Sequence, residues 1–235
     1  MGDRMKYFSI LGDSISTLEG YSEPRYAAYY DTAHKLQAKV YLPRDTWWGQ
    51  VIGALGGQLL VNNAISGSTV CWDRLYECPS FGCSDERTSA LHRDGICPDV
   101  IFVYLGTNDW GQGRQIVCEG DGENALSCFA PAYRAMLQKL KNNYPSAQIC
   151  CFTLPRSRFS ADESFVFPHS YGGRHIDEYC ETIRTVAGEL GCRLIDLAVL
   201  CEPFDTVDGF HPTADGMKTI ACAVLNAMRI SRKEA

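Results

Sequence analysis

Five short apolar runs punctuate the chain, at 6–11, 58–62, 99–105, 148–153 and 193–196. Each is nearly continuous and rich in Ile, Val, Leu and Phe instead of alternating with polar residues. That is the pattern of strands covered on both faces. Between them, apolar residues recur every three or four positions. The spacing predicts a helix over 47–55, with Asp45-Thr46 as N-cap candidates. A second helix follows from Phe129, Tyr133, Met136, Leu137 and Leu140. A third follows from Ile176, Tyr179, Cys180, Ile183, Val186, Ala187 and Leu190, and a fourth from Met217, Ile220, Ala221, Val224, Leu225 and Met228. Strands alternating with helices imply right-handed crossovers. They predict an α/β protein with three α/β/α layers and a five-stranded parallel sheet in the flavodoxin-like order 2-1-3-4-5. In such sheets ligands bind beyond the carboxyl ends of the strands. At 235 residues, a single domain over 1–235 is expected.

Three segments, 15–44, 66–98 and 155–174, show neither period. Each follows a predicted strand, so all three should gather at one end of the sheet. Segments this long are usually functional or carry small elements of their own.

Composition narrows the class. Hydrophobic residues make up 46% and charged residues 21%, as in ordinary globular proteins. A net charge of -6 without a basic patch argues against a nucleic-acid partner. Arg229, Arg232 and Lys233 do not alter that, since they suit the last turn of a helix. No apolar stretch is long enough for a membrane span. The N-terminus leads straight into a strand with no secretion signal, so a cytoplasmic location is expected.

Twelve cysteines are many, but no C-x2-C pair is present and His34, His92, His169 and His175 show no ligand spacing with them. No metal is expected. Cys150, Cys151, Cys180, Cys192 and Cys222 fall in apolar runs or beside apolar helix faces and read as small core thiols. Cys71, Cys78, Cys83, Cys97, Cys118 and Cys128 fall in loops, where a disulfide or a metal site is an open alternative, although a reducing compartment favours free thiols.

Chemistry enters at the strand ends. Gly12-Asp13-Ser14 follows the first strand, which delivers a hydroxyl to the sheet edge. Asp208-Gly209-Phe210-His211-Pro212 precedes the last helix and places an Asp three residues before a His. A base and its orienter can come from that one segment, as a serine nucleophile requires. Asn63-Ala64-Ile65-Ser66-Gly67-Ser68 follows the second strand, and Gly106-Thr107-Asn108-Asp109 the third. Singly, each of these four blocks reads as an ordinary turn.

Together and in this order, the four blocks resemble those of the SGNH (GDSL-type) hydrolases, and the resemblance spans the chain. The residues that give that family its name map onto Ser14, Gly67, Asn108 and His211, with Asp208 as the acidic partner. The first block has Ile15 where the family often has Leu. Ser14-Ile15-Ser16-Thr17, Glu19-Gly20-Tyr21 and Asp45-Thr46-Trp47-Trp48 resemble a bacterial subgroup. The resemblance implies Ser14, Asp208 and His211 as catalytic residues. It also implies an oxyanion hole from the Ser14 and Gly67 backbone N–H groups and the Asn108 amide, with no cofactor.

The implied activity is hydrolysis of small acyl esters through an acyl-enzyme, with acetylated sugars as one substrate class. A lysophospholipase, thioesterase or acyltransferase with the same triad, or a non-catalytic binding module, are the other readings. Asp13, Tyr21, Trp47, Trp48, Asp109, Trp110 and His169 are candidate pocket residues. His169 is also the competing base, but it lacks an Asp at short spacing. Tyr21, Tyr26, Tyr29, Tyr30 and Tyr41 crowd the first irregular segment. They suit a sugar-stacking or acyl-binding wall and a small satellite core equally well.

Overall fold

The computed structural model describes residues 5–72, 81–118 and 122–230. Cys78, Arg232 and Lys233 lie outside the described residues. The strands are β1 (Tyr7–Gly12), β2 (Gln58–Ala64), β3 (Val100–Tyr104), β4 (Gln148–Phe152), β5 (Ser157–Arg158), β6 (Ser170–Tyr171), β7 (Arg174–His175), β8 (Arg193–Ile195) and β9 (Phe204–Asp205). The helices are α1 (Thr32–Ala38), α2 (Trp47–Ala54), α3 (Asp85–Ser89), α4 (Thr107–Gly111), α5 (Phe129–Asn143), α6 (Ile176–Glu189), α7 (Leu197–Leu200) and α8 (Ala214–Ile230).

The five expected strands form one parallel sheet in the order β2-β1-β3-β4-β8, the 2-1-3-4-5 order read from the pattern. Its centre, β3, is buried along its whole length because helices cover both faces. On one face Phe102 and Tyr104, two residues apart, meet Trp47 at 5.7 and 5.8 Å between ring centroids. There α2 packs on α8, while α5 packs against α3 and α6. Thr46 caps α2 by accepting the Gly49 N–H at 3.0 Å. No helix among the described residues is long and apolar enough to cross a membrane.

The irregular segments carry small elements, as their length suggested. The first holds a 3-10 turn at Ser14–Ser16 and α1, and the second holds α3. In the third, β5 pairs with β9, and β6 with β7 in a hairpin. Ser84 accepts the Arg87 N–H and caps α3, whose first turn is acidic. That signature was present in the sequence, but five residues are too few to show a helical period.

Two cysteine expectations change. Cys118 and Cys128 form a disulfide, their Cα atoms 5.8 Å apart and within bridging range. Cys222 is exposed, because the face of α8 set by Met217, Ile220, Ala221 and Val224 turns it outward. Cys71, Cys83, Cys150, Cys151 and Cys180 are buried free thiols.

Candidate active site

The sheet's carboxyl edge gathers the four blocks. β1 ends at Gly12, and Asp13 caps the following turn by accepting the Ile15 N–H at 3.0 Å. This holds Ser14 at the edge, 8% exposed. The turn is tight, and a Cβ on Gly12 would sit 2.9 Å from that of Ser16. Trp47 Nε1 donates to Ser16 Oγ at 3.2 Å and Trp48 Nε1 to the Ser16 carbonyl at 3.0 Å. Both indoles are buried beneath the turn and support it from below. They were expected in the pocket and do not line it.

Asp208 ends a short segment in which Thr206 bridges to Pro212. Its Oδ1 accepts the backbone N–H groups of Phe210 at 2.9 Å and His211 at 2.8 Å, so the carboxylate builds the turn that presents His211. Oδ2 lies 2.7 Å from His211 Nδ1, and His211 Nε2 lies 2.9 Å from Ser14 Oγ. Partial burial pushes the Asp208 carboxyl up, but the His211 side-chain and backbone hydrogen bonds outweigh it. They hold the group well below the ordinary carboxylate range.

Asn108 stands in the first turn of α4. Its Nδ2 donates to the Ser68 carbonyl at 2.9 Å, which orients the amide and leaves its second hydrogen for another acceptor. Next to it, buried Asp109 accepts the Val70 and Cys71 N–H groups at 2.8 and 3.0 Å and ties the chain after β2 to the end of β3. Burial raises its carboxyl. Gly67 lies in the turn before Ser68 with φ +75°. A Cβ there would meet open space, so the left-handed backbone, not steric access, is what favours glycine.

Arg87 on α3 drew no attention in the sequence. It is buried, and its guanidinium donates to the Asn63 side chain at 2.8 Å and to the carbonyls of Gly12 at 2.9 Å and Asn63 at 2.6 Å, as well as to Ser68 Oγ. It thereby pins the ends of β1 and β2 together. Burial pushes it down to about 10, and Asp13 opposes that.

A groove of about 190 Å³ opens beside Ser14 and His211. It is lined by Ile15, Thr107, Asn108, Trp110, Gly111, Tyr171 and Phe210. Of the pocket candidates, only Trp110 reaches it. Asp13 and Asp109 are buried in turns, and Tyr21 is exposed near Trp48. His169 stacks near His175 and meets Phe167 edge-on, away from Ser14. Tyr171 and Phe210 were missed as lining residues, because their contact with Trp110 arises only when the β6–β7 hairpin folds over α4. A Cβ on Gly113 would stand 2.0 Å from the Gly172 carbonyl, so that docking needs both glycines. The tyrosine-rich segment divides: Tyr30 is core, Tyr29 lies against His211, and Tyr21 and Tyr41 are exposed. Among the described residues no group of three His, Cys, Asp or Glu could hold a metal.

Asp13 carries a pH signature. Burial pushes its carboxyl up to about 7, and its Oδ2 has no hydrogen-bond partner. The unfolded group titrates at about 3.9. The folded protein is therefore stabilised while Asp13 is protonated, and it loses stability as pH rises from there to about 7. Asp13→Asn keeps an oxygen for Ile15 and removes the ionisation. In thermal melts its Tm relative to the parent should rise between pH 5 and pH 8. A pH-independent difference would place the ionisation elsewhere.

A family model described as GDSL-like Lipase/Acylhydrolase matches residues 6–162. A provisionally assigned GDSL-like lipase from Bacteroides ovatus is 25% identical with a TM-score of 0.74, over 99% of this chain and 100% of that one. Another from Bacteroides uniformis is 28% identical with a TM-score of 0.72, over 96% of each chain. A carbohydrate acetylesterase family member from Sinorhizobium meliloti shares the fold at 19% identity and a TM-score of 0.62, over 96% of this chain and 98% of that one. No curated protein matches the chain. A family-model match over most of the chain, together with a fold shared with these structures along nearly their whole length, makes this chain a member of the GDSL-like lipase/acylhydrolase family.

Proposed function

We propose that this family member is a serine esterase acting on small, uncharged acyl esters through Ser14, His211 and Asp208. The observation that carries the reading is the unbroken line from Ser14 Oγ through His211 to Asp208, at 2.9 and 2.7 Å. A serine hydroxyl is a weak nucleophile until a base within hydrogen-bond reach takes its proton. Here Ser14 Oγ attacks the acyl carbon while His211 Nε2 takes the proton. Asp208 holds Nδ1–H and balances the imidazolium.

The carbonyl oxygen becomes an oxyanion. The Ser14 and Gly67 N–H groups and the second Asn108 amide hydrogen receive it. On collapse the ester C–O bond breaks, and His211 returns its proton to the leaving oxygen. Water then attacks the Ser14 ester with His211 again as base, releasing the acid and restoring the hydroxyl.

The groove supports the substrate class. Beside the imidazole of His211, its lining side chains are apolar, hydroxyl or amide groups, so no Lys or Arg there would pair with a carboxylate or phosphate on the substrate. At about 190 Å³ it falls below the roughly 300–1,000 Å³ of sites for drug-sized ligands, which suits a short acyl group. Trp110, Tyr171 and Phe210 offer ring faces that suit a sugar as leaving group or a compact acyl chain.

A series of nitrophenyl and sugar esters from acetyl to dodecanoyl tests the reading. Turnover should peak at the shortest chains. A maximum at long chains would favour a lysophospholipase, and transfer to added alcohol outrunning hydrolysis would favour an acyltransferase. Asn108→Ala should lower kcat by about 100- to 1,000-fold, the usual effect of losing one oxyanion donor. The loss belongs in kcat, because the negative charge exists only near the transition state. A raised KM with unchanged kcat would place Asn108 in ground-state binding instead.

A further inference from the structure

The Tyr29 ring lies flat on the His211 imidazole, with centroids 3.5 Å apart and planes 8° from parallel. Its hydroxyl donates to Asp208 Oδ2 at 3.1 Å, the same oxygen that His211 Nδ1 approaches. Its backbone N–H donates to Thr17 Oγ1 at 2.9 Å, and that hydroxyl donates to the Ser14 carbonyl at 2.8 Å. One residue thus touches the base and its carboxylate, and is braced through Thr17 to the turn of the nucleophile.

The neighbouring Tyr30 secures the same corner. It is fully buried, donates its hydroxyl to the Pro212 carbonyl at 2.8 Å, and meets Tyr29 edge-on at 5.1 Å. Behind Tyr29 the His34 ring packs at 4.5 Å, and His34 Nδ1 lies 2.9 Å from Asp31.

We propose that Tyr29 is a positioning residue of the hydrolytic site: its ring fixes the plane of His211 and its hydroxyl fixes Asp208 Oδ2. The inference rests on the triad reading above. The turn of Asp208 leaves its carboxylate partly exposed, and Oδ1 is already occupied by two backbone N–H groups. Besides His211 Nδ1, the Tyr29 hydroxyl is the side-chain partner of Oδ2, so without it the second lone pair of that oxygen would be left to water. Burial, then the Asp208 charge, raises the Tyr29 phenol, so it remains a donor across the working pH range. The stacked ring also presents its negative π face to the imidazolium that forms as Ser14 is deprotonated. That contact strengthens towards the transition state, so its loss should fall on kcat.

The test compares Tyr29→Phe and Tyr29→Leu with the parent on a short-chain nitrophenyl ester, with Ser14→Ala run in parallel. Tyr29→Phe keeps the ring and loses the hydroxyl, and kcat should fall about fivefold with KM unchanged, in keeping with one net hydrogen bond. Tyr29→Leu loses both contacts and should lose about fiftyfold, so that phenylalanine restores most of what leucine removes. Should the leucine variant not fold, Tyr29→Phe decides alone. A Tyr29→Phe kcat within twofold of the parent, or a loss expressed in KM, would overturn the proposal while an inactive Ser14→Ala kept the triad reading intact. Full turnover by Ser14→Ala would instead remove the triad reading itself.

Discussion

Ser14→Ala should lower ester turnover on the order of 10⁶-fold while leaving the thermal melt within a few degrees of the parent. The side chain removed is one hydroxyl, whose bond in this structure is to His211 Nε2. The turn does not depend on it: Asp13 caps the turn, and the Ser14 carbonyl accepts both the Thr17 N–H and the Thr17 hydroxyl. Alanine keeps the Cβ already present and vacates only the small volume of Oγ, so no large packing loss is expected. The Ser14 N–H also remains, so background turnover assisted by the oxyanion donors should persist at a low level. A fluorophosphonate probe should label the parent at Ser14 and leave the variant unlabelled. Retention of more than about 1% of turnover would move the nucleophile elsewhere, given the size of loss expected.

Asp208→Asn should cost about 10⁴-fold in kcat with little change in KM. The amide keeps an oxygen for the Phe210 and His211 N–H groups, so the turn survives. Its NH2 then faces His211 Nδ1 and donates where the carboxylate accepted. The ring is forced into the tautomer with its hydrogen on Nε2, which cannot take the proton from Ser14 Oγ. Ordinary acidity does not reproduce this change. Asp208 is held well below the usual carboxylate range, so any stability it contributes is present above about pH 3.9 and is lost only as pH falls through its lower folded value. If His169→Ala proved more damaging than Asp208→Asn, the base would be misassigned. His169 stacks near His175 instead of facing a carboxylate.

The strands and the main helices were legible because their signals are local. A run such as Val100–Tyr104 is apolar throughout whatever lies next to it, and the faces of α5, α6 and α8 repeat at helical spacing. Strand–helix alternation and crossover handedness suit the order 2-1-3-4-5, which the pairing of distant strands then realises. The four polar blocks were legible as types at strand ends. The short elements were not: α1, α3 and the two-residue strands are held by caps and by contacts with distant residues, and they are too brief to show a period.

The sequence by itself thus determined the layer architecture and the residue types at the sheet's carboxyl edge, because periodicity and turn chemistry act over a few residues. Tertiary structure alone decided which of those residues meet. Ser14 and His211 are 197 positions apart and Tyr29 and Asp208 are 179, and no local rule links them. The same holds for the aromatic and charged side chains whose type is ambiguous. Trp47 and Trp48 became supports beneath the turn of Ser14, and Tyr29 a cover for His211. Arg87 is buried because carbonyls from two strand ends converge on it. Burying a guanidinium is unfavourable unless such partners are already in place, and only the assembled fold puts them there.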